Sequence, residues 1–190
     1  MSQKTLLTQA VDAALKLAET EPWQSVTLAQ IARETGHTLS DFHALAQGQD
    51  LSAEIDPMLD LAMSEGSLDP EESPRTRLFD VIMLRFEAME ARRDGIMSFL
   101  RWRDSHISGL SLRVRQRYRT ARWALVCAGL DSASPLPQEI QSLAVAYAIA
   151  AAERAWRQET GTDLTRTMAR LDAELLKLEK RVDWLKGRAR

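Results

Sequence analysis

Apolar residues recur along this chain at helical spacing, and no stretch alternates as a half-buried strand would. Leu7, Val11, Ala14, Leu15 and Ala18 share one face of a helix expected over residues 5–20, with Pro22 and Trp23 marking its end. Thr27 is a cap for the next helix, and Gln30 stands three residues on as its reciprocal partner. Leu28, Ile31 and Ala32 form its apolar face, and Gly36 ends it where a left-handed residue is favoured. Thr38 then caps a second short helix, with Asp41 at the return position and Leu39, Phe42 and Leu45 inward. Two short helices joined by a glycine-containing turn make a helix-turn-helix.

Residues 50–64 predict a further helix, which Pro57 should kink or delay. The segment SEGSLDPEESP, 64–74, is rich in acid, glycine and proline and marks the best boundary. Ser73 and Pro74 begin a helix reaching about Arg93, with Leu78, Phe79, Ile82, Met83, Phe86 and Met89 inward. Helices are also expected over 95–103, 112–130, 138–158 and 164–186, the penultimate one alanine-rich and buried nearly all round. The fold class is therefore all-α. Residues 1–50 form a three-helix unit carrying the helix-turn-helix, and residues 51–190 form a helical bundle entered through a connecting helix and loop, 51–74.

Composition changes this picture in two places. With 45% hydrophobic residues over 190 positions, the chain can bury a real core. The net charge of −2 hides an asymmetry: residues 1–60 hold three basic and nine acidic residues, a balance of −6, and the remainder carries +4. Cys127 is the single cysteine, which excludes an intrachain disulfide and fits a reducing compartment. The start, MSQKTLL, lacks the apolar core of a signal peptide. The longest apolar run, Leu143 to Ala152, has ten residues, and a membrane span needs roughly 20. A cytoplasmic location is expected. No enzyme is expected either. His37, His43 and His106 have no metal-ligand spacing with one another or with Cys127, and no phosphate-binding glycine loop exists. Neither cofactor nor metal is called for.

The order of elements, with AALKLAE and SVTLAQIARETGHTLSDF inside residues 6–60, resembles the TetR family of ligand-responsive transcription regulators. RLFDVIMLRFEAM (77–89) and RAWRQETGTDLTRTMARLDAEL (154–175) resemble a TetR-like branch similar in fold to the lipid-binding accessory family of ubiquinone biosynthesis. The resemblance implies a homodimer formed through the last two helices, with the second helix of the motif in the DNA major groove. It implies phosphate contacts for Thr27 and Thr38 and a groove-facing position for Ser40 and His43. The family's usual tyrosine, aromatic and lysine are here His43, Ala46 and Gln49. With the acidic balance around them, these departures predict weakened phosphate contacts. A second reading stays open: a lipid- or isoprenoid-binding protein of the same fold without DNA-binding activity.

Three further patterns bear on function. Phe86, Met89, Phe99, Trp102, Trp123, Cys127, Tyr147 and Trp156 are large or soft residues of the bundle helices. They are either close-packed core or the lining of a pocket for a small apolar ligand or lipid. In LRVRQRYRTAR, 112–122, the arginines alternate from Arg113 to Arg119, which spreads them around a helix. A solvated face with ion pairs is expected there; an anionic surface site is the functional alternative. Leu164, Met168, Leu171, Leu175, Leu178, Val182 and Leu185 make a heptad seam, which either packs on its own bundle or pairs two copies. Its basic end beside Trp184 gives a membrane surface as a further possible partner.

Overall fold

A computed structural model describes residues 3–43, 50–66, 69–105, 110–131 and 136–188. Those residues form eight α-helices and two 3-10 turns: α1 (Gln3–Leu17), a turn at Trp23–Ser25, α2 (Leu28–Thr35), a turn at Leu39–Phe42, α3 (Leu51–Ala62), α4 (Pro74–Glu90), α5 (Arg93–Ser105), α6 (Leu110–Cys127), α7 (Gln138–Trp156) and α8 (Thr165–Arg188). No strand occurs among them. The chain is all-α, as the periodicity predicts. Helix α3 begins at Leu51 and carries Pro57 inside it, so the proline does not delay its start.

The chain divides into two compact units. Unit 1 comprises Met1–Leu59 and Met89–Leu110; unit 2 comprises Asp60–Ala88 and Ser111–Arg190. Helix α5 packs with the N-terminal helices in unit 1. Ile96, Phe99 and Leu100 on α5 are buried, as are Val11, Ala14 and Leu15 on α1. Gly95 lies so close to α1 that an added Cβ would stand 2.1 Å from the Leu15 carbonyl oxygen. Trp23 meets Phe99 edge-to-face at 5.2 Å between ring centroids, and its backbone N–H donates to Ser98 Oγ at 3.0 Å. Arg92 grips Asp12 with two guanidinium nitrogens.

Unit 2 is built from α4, α6, α7 and α8 with the last residues of α3. Its core holds Ile82, Phe86, Leu125, Ile149, Trp156, Leu171 and Leu175. Alanines Ala148, Ala151 and Ala152 are buried on α7, which packs along α8. Small side chains let the two backbones lie close. Two carboxylates, the part-buried Asp60 and the buried Glu153, organise the rest. Asp60 accepts from Arg85 Nε at 2.8 Å and from Thr120 Oγ1 at 2.8 Å, while its backbone carbonyl accepts from Trp123 Nε1 at 2.9 Å. Glu153 is bracketed by Arg117 and Arg157. An acid deprived of water needs such partners, because desolvation otherwise exceeds any gain from burial.

Candidate functional site

The helix-turn-helix keeps its local geometry. Thr27 Oγ1 accepts from the Gln30 N–H at 3.3 Å, and the Thr27 N–H donates back to Gln30 Oε1 at 2.8 Å. Gly36 takes φ +70°, the left-handed conformation that ends α2 and that a side chain would disfavour. Past the turn, the Thr38 N–H donates to Asp41 Oδ2 at 2.9 Å and its hydroxyl donates to the same oxygen at 2.8 Å. Those bonds, the backbone one first, hold the Asp41 carboxyl below its ordinary range. The cap is therefore complete above the usual carboxylate pKa and is lost only as pH falls through the lowered value.

Thr27, Thr38, Ser40 and His43 are all exposed, as a surface that meets a ligand requires. The hydroxyls of Thr38 and Ser40 also bond to each other at 2.7 Å. The second element opens as the 3-10 turn Leu39–Phe42, with Phe42 buried and Leu39 exposed rather than inward. Ala46 and Gln49 lie outside the described residues, as do His106 and Leu45. Sequence reasoning placed Asp41 as a cap and missed its second consequence. A charged, solvent-facing carboxylate accepts the Thr38 N–H and O–H that open the second element, so those donors are already engaged.

The eight residues proposed as a pocket lining are distributed over both units, with the Phe99 and Trp102 rings 6.1 Å apart between centroids in unit 1. Met89, Phe99 and Trp102 belong to unit 1, and Phe86, Trp123, Cys127, Tyr147 and Trp156 to unit 2. Phe86, Met89, Phe99 and Trp156 are closely packed core, whereas Trp123 and Tyr147 are exposed. Trp102 and Cys127 are intermediate. Of the aromatic residues among them, Phe99 is core of unit 1 and Phe86 and Trp156 are core of unit 2. Burial, with a smaller push from the Asp60 charge, raises the Cys127 thiol pKa, so it stays protonated. Clefts open among the described residues. One of about 510 Å³ lies in unit 1 against Thr20, Gln24, Ser98, Arg101, Trp102 and Ser105. Another, about 310 Å³, lies between α7 and α8 against Ala144, Tyr147, Glu174, Lys177, Leu178 and Arg181.

Of the heptad positions, Leu164, Leu171 and Leu175 are buried, Leu178 and Val182 are intermediate, and Met168 is exposed. The exposed apolar stripe is on α7. Ile140 (52% exposed), Leu143 (55%) and Tyr147 (56%) follow at steps of three and four, so they share one face beside the smaller cleft. Among the described residues, no group of three His, Cys, Asp or Glu side chains could hold a metal ion, and no helix is long and apolar enough to cross a membrane.

No protein-family model and no curated protein matches the chain. Among solved structures it is similar to a TetR transcriptional regulator from Rhodococcus sp. RHA1. The match covers 94% of this chain and 99% of that one, at 14% identity and a TM-score of 0.61. At that identity the likeness concerns the path of the backbone. With eight helices in the order described and a capped helix-turn-helix near the start, this chain has a TetR-like fold.

Proposed function

We propose that the chain is a ligand-responsive transcription regulator that binds duplex DNA as a homodimer, with a weak grip on phosphate. The observation that carries this reading is the intact pair of capped elements around Gly36, presenting Thr27, Thr38, Ser40 and His43 to solvent. An exposed face with hydroxyl and imidazole donors at the start of the second element is what a groove-reading segment presents. Its phosphate grip is weak because Asp41 is charged at the entry of the second element and residues 1–60 carry −6. Affinity for DNA comes largely from cations displacing counterions, and here few are on offer.

The exposed stripe Ile140, Leu143 and Tyr147 supports pairing of two copies through α7 and α8. A self-complementary apolar face of this kind suits a twofold interface. Leu143→Glu is expected to shift the protein from dimer to monomer in sedimentation velocity; an unchanged dimer would remove α7 from the interface. An effector bound differently by the two DNA-binding states would change DNA affinity reciprocally. A small apolar effector fits the cleft against Tyr147.

Titration with random-sequence duplex DNA at low salt tests the reading, because the electrostatic contribution is largest there. Absence of binding under those conditions would leave the lipid- or isoprenoid-binding reading, which the acidic N-terminal segment favours. Asp41→Asn should tighten duplex binding by about 2- to 5-fold, the scale of one exposed charge. Equal or weaker binding by that variant, with its helicity intact, would show that Asp41 does not oppose phosphate.

A further inference from the structure

The arginine-rich segment does not behave as its alternation suggests. On α6 the five arginines separate into two sets. Arg113 and Arg117 are half-buried, and Arg117 pairs with Glu153. Arg115, Arg119 and Arg122 are exposed and follow at steps of four and three, which places them on one face. At the rise of an α-helix the set spans about 10 Å along the axis. Among the described residues, none of these three is held in an ion pair. Val114 (60% exposed), Trp123 (37%) and Val126 (45%) lie exposed on and beside the same face. The Trp123 indole N–H is already spent on the Asp60 carbonyl, so its exposed part is hydrocarbon and π surface.

We infer that this face of α6 docks on an anionic lipid surface. The arginines provide the charge complementarity, since guanidinium groups bind lipid phosphates while their stems lie along the apolar boundary. The two valines and the tryptophan decide between polyanions. A nucleic-acid backbone gives exposed aliphatic side chains nothing to contact, whereas the boundary between headgroups and acyl chains accepts tryptophan and valine together with arginine. The three arginines alone are worth on the order of 100-fold in affinity for an anionic over a neutral surface. Docking of this strength is reversible and salt-sensitive. The inference does not depend on DNA binding, and a chain that ignores DNA would still show it.

The test is co-sedimentation of the full chain with phosphatidylcholine vesicles, with and without phosphatidylglycerol, at low and high salt. Three proteins are compared: the native chain, Arg115→Gln/Arg119→Gln/Arg122→Gln, and Lys177→Gln/Lys180→Gln/Arg181→Gln as a second basic face. All six positions are exposed or half-exposed, and circular dichroism checks that each variant keeps its helices. Expected is binding to anionic vesicles only, weakened at least tenfold by the α6 triple and by salt, and kept by the α8 triple. Val126→Ser should weaken it further without touching charge. The inference is overturned by failure of the native chain to bind anionic vesicles at low salt, or by equal binding of the α6 triple. It is also overturned if only the α8 triple loses binding. Random duplex DNA or RNA that outcompetes the vesicles, with that binding abolished in the α6 triple, would reassign the face to nucleic acid.

Discussion

Replacing Gly95 by alanine is expected to destabilise unit 1 by about 3 kcal/mol, the upper range for forcing extra volume into a packed interior. The added Cβ would sit 2.1 Å from the Leu15 oxygen and 2.9 Å from the Leu15 carbonyl carbon. Those are backbone atoms inside α1, so no rotamer change relieves the clash. Helices α1 and α5 would have to separate, opening the contacts around Phe99, Ile96 and Val11. Two other glycines calibrate the result. At Gly66 the nearest atom is Leu84 Cδ1 at 2.9 Å, the end of a side chain that can turn aside, so alanine there should cost far less. At Gly161 the nearest atom is Asp163 Oδ1 at 3.4 Å, ordinary contact, and alanine should be close to neutral. Urea unfolding of the three variants checks the order. Equal midpoints for Gly95→Ala and Gly161→Ala would mean that α1 and α5 are not in such close approach.

The second large effect is at Asp60. Asp60→Ala removes the carboxylate that Arg85 Nε, on a side chain 5% exposed, donates to, and the oxygen that accepts from Thr120 Oγ1. Breaking one partner of a buried pair costs about 3–5 kcal/mol, most of it the stranded charge. The double variant Asp60→Leu/Arg85→Met should recover much of that loss, because it removes both charges and keeps the volume. If the double variant is no more stable than Asp60→Ala, the loss lies in packing and not in charge. A second readout comes from Cys127. Burial and the Asp60 charge both raise its thiol pKa, the first more than the second. Asp60→Asn should therefore lower that pKa, and Cys127 should alkylate faster near neutral pH in the folded protein.

Local chemistry made much of this fold readable. Cap pairs Thr27–Gln30 and Thr38–Asp41, and the turn at Gly36, are written in neighbouring residues and appear as such in the structure. Helix positions in the bundle follow from apolar spacing for the same reason. The allocation of α5 to unit 1 was not readable, because it depends on a contact between Gly95 and Leu15 that no short-range pattern encodes. A glycine inside a helical pattern was the available signal, since it costs stability unless close approach repays it. The carboxylate hubs Asp60 and Glu153 were invisible for the same reason: their partners Arg85, Thr120 and Arg117 are distant in sequence. The pocket lining rested on size and spacing alone. Large apolar residues at helical spacing mark burial, and burial alone does not distinguish a filled interior from an empty one. The arginines misled through their alternation, which spreads adjacent members apart yet aligns Arg115, Arg119 and Arg122.

The discontinuity of unit 1 reaches beyond the native state, to the order of synthesis. Residues 60–88, which belong to the other unit, must leave the ribosome before α5 can reach α1. Translation proceeds at about 5–20 residues per second, so the N-terminal helices wait seconds with the seat of Ile96, Phe99 and Leu100 unfilled. During that interval Val11, Leu15 and Trp23 present an apolar surface that only the later segment covers. A fragment ending near residue 60 would remain in that condition permanently. The smallest piece that carries the helix-turn-helix with its own complete core therefore extends through α5, to Leu110.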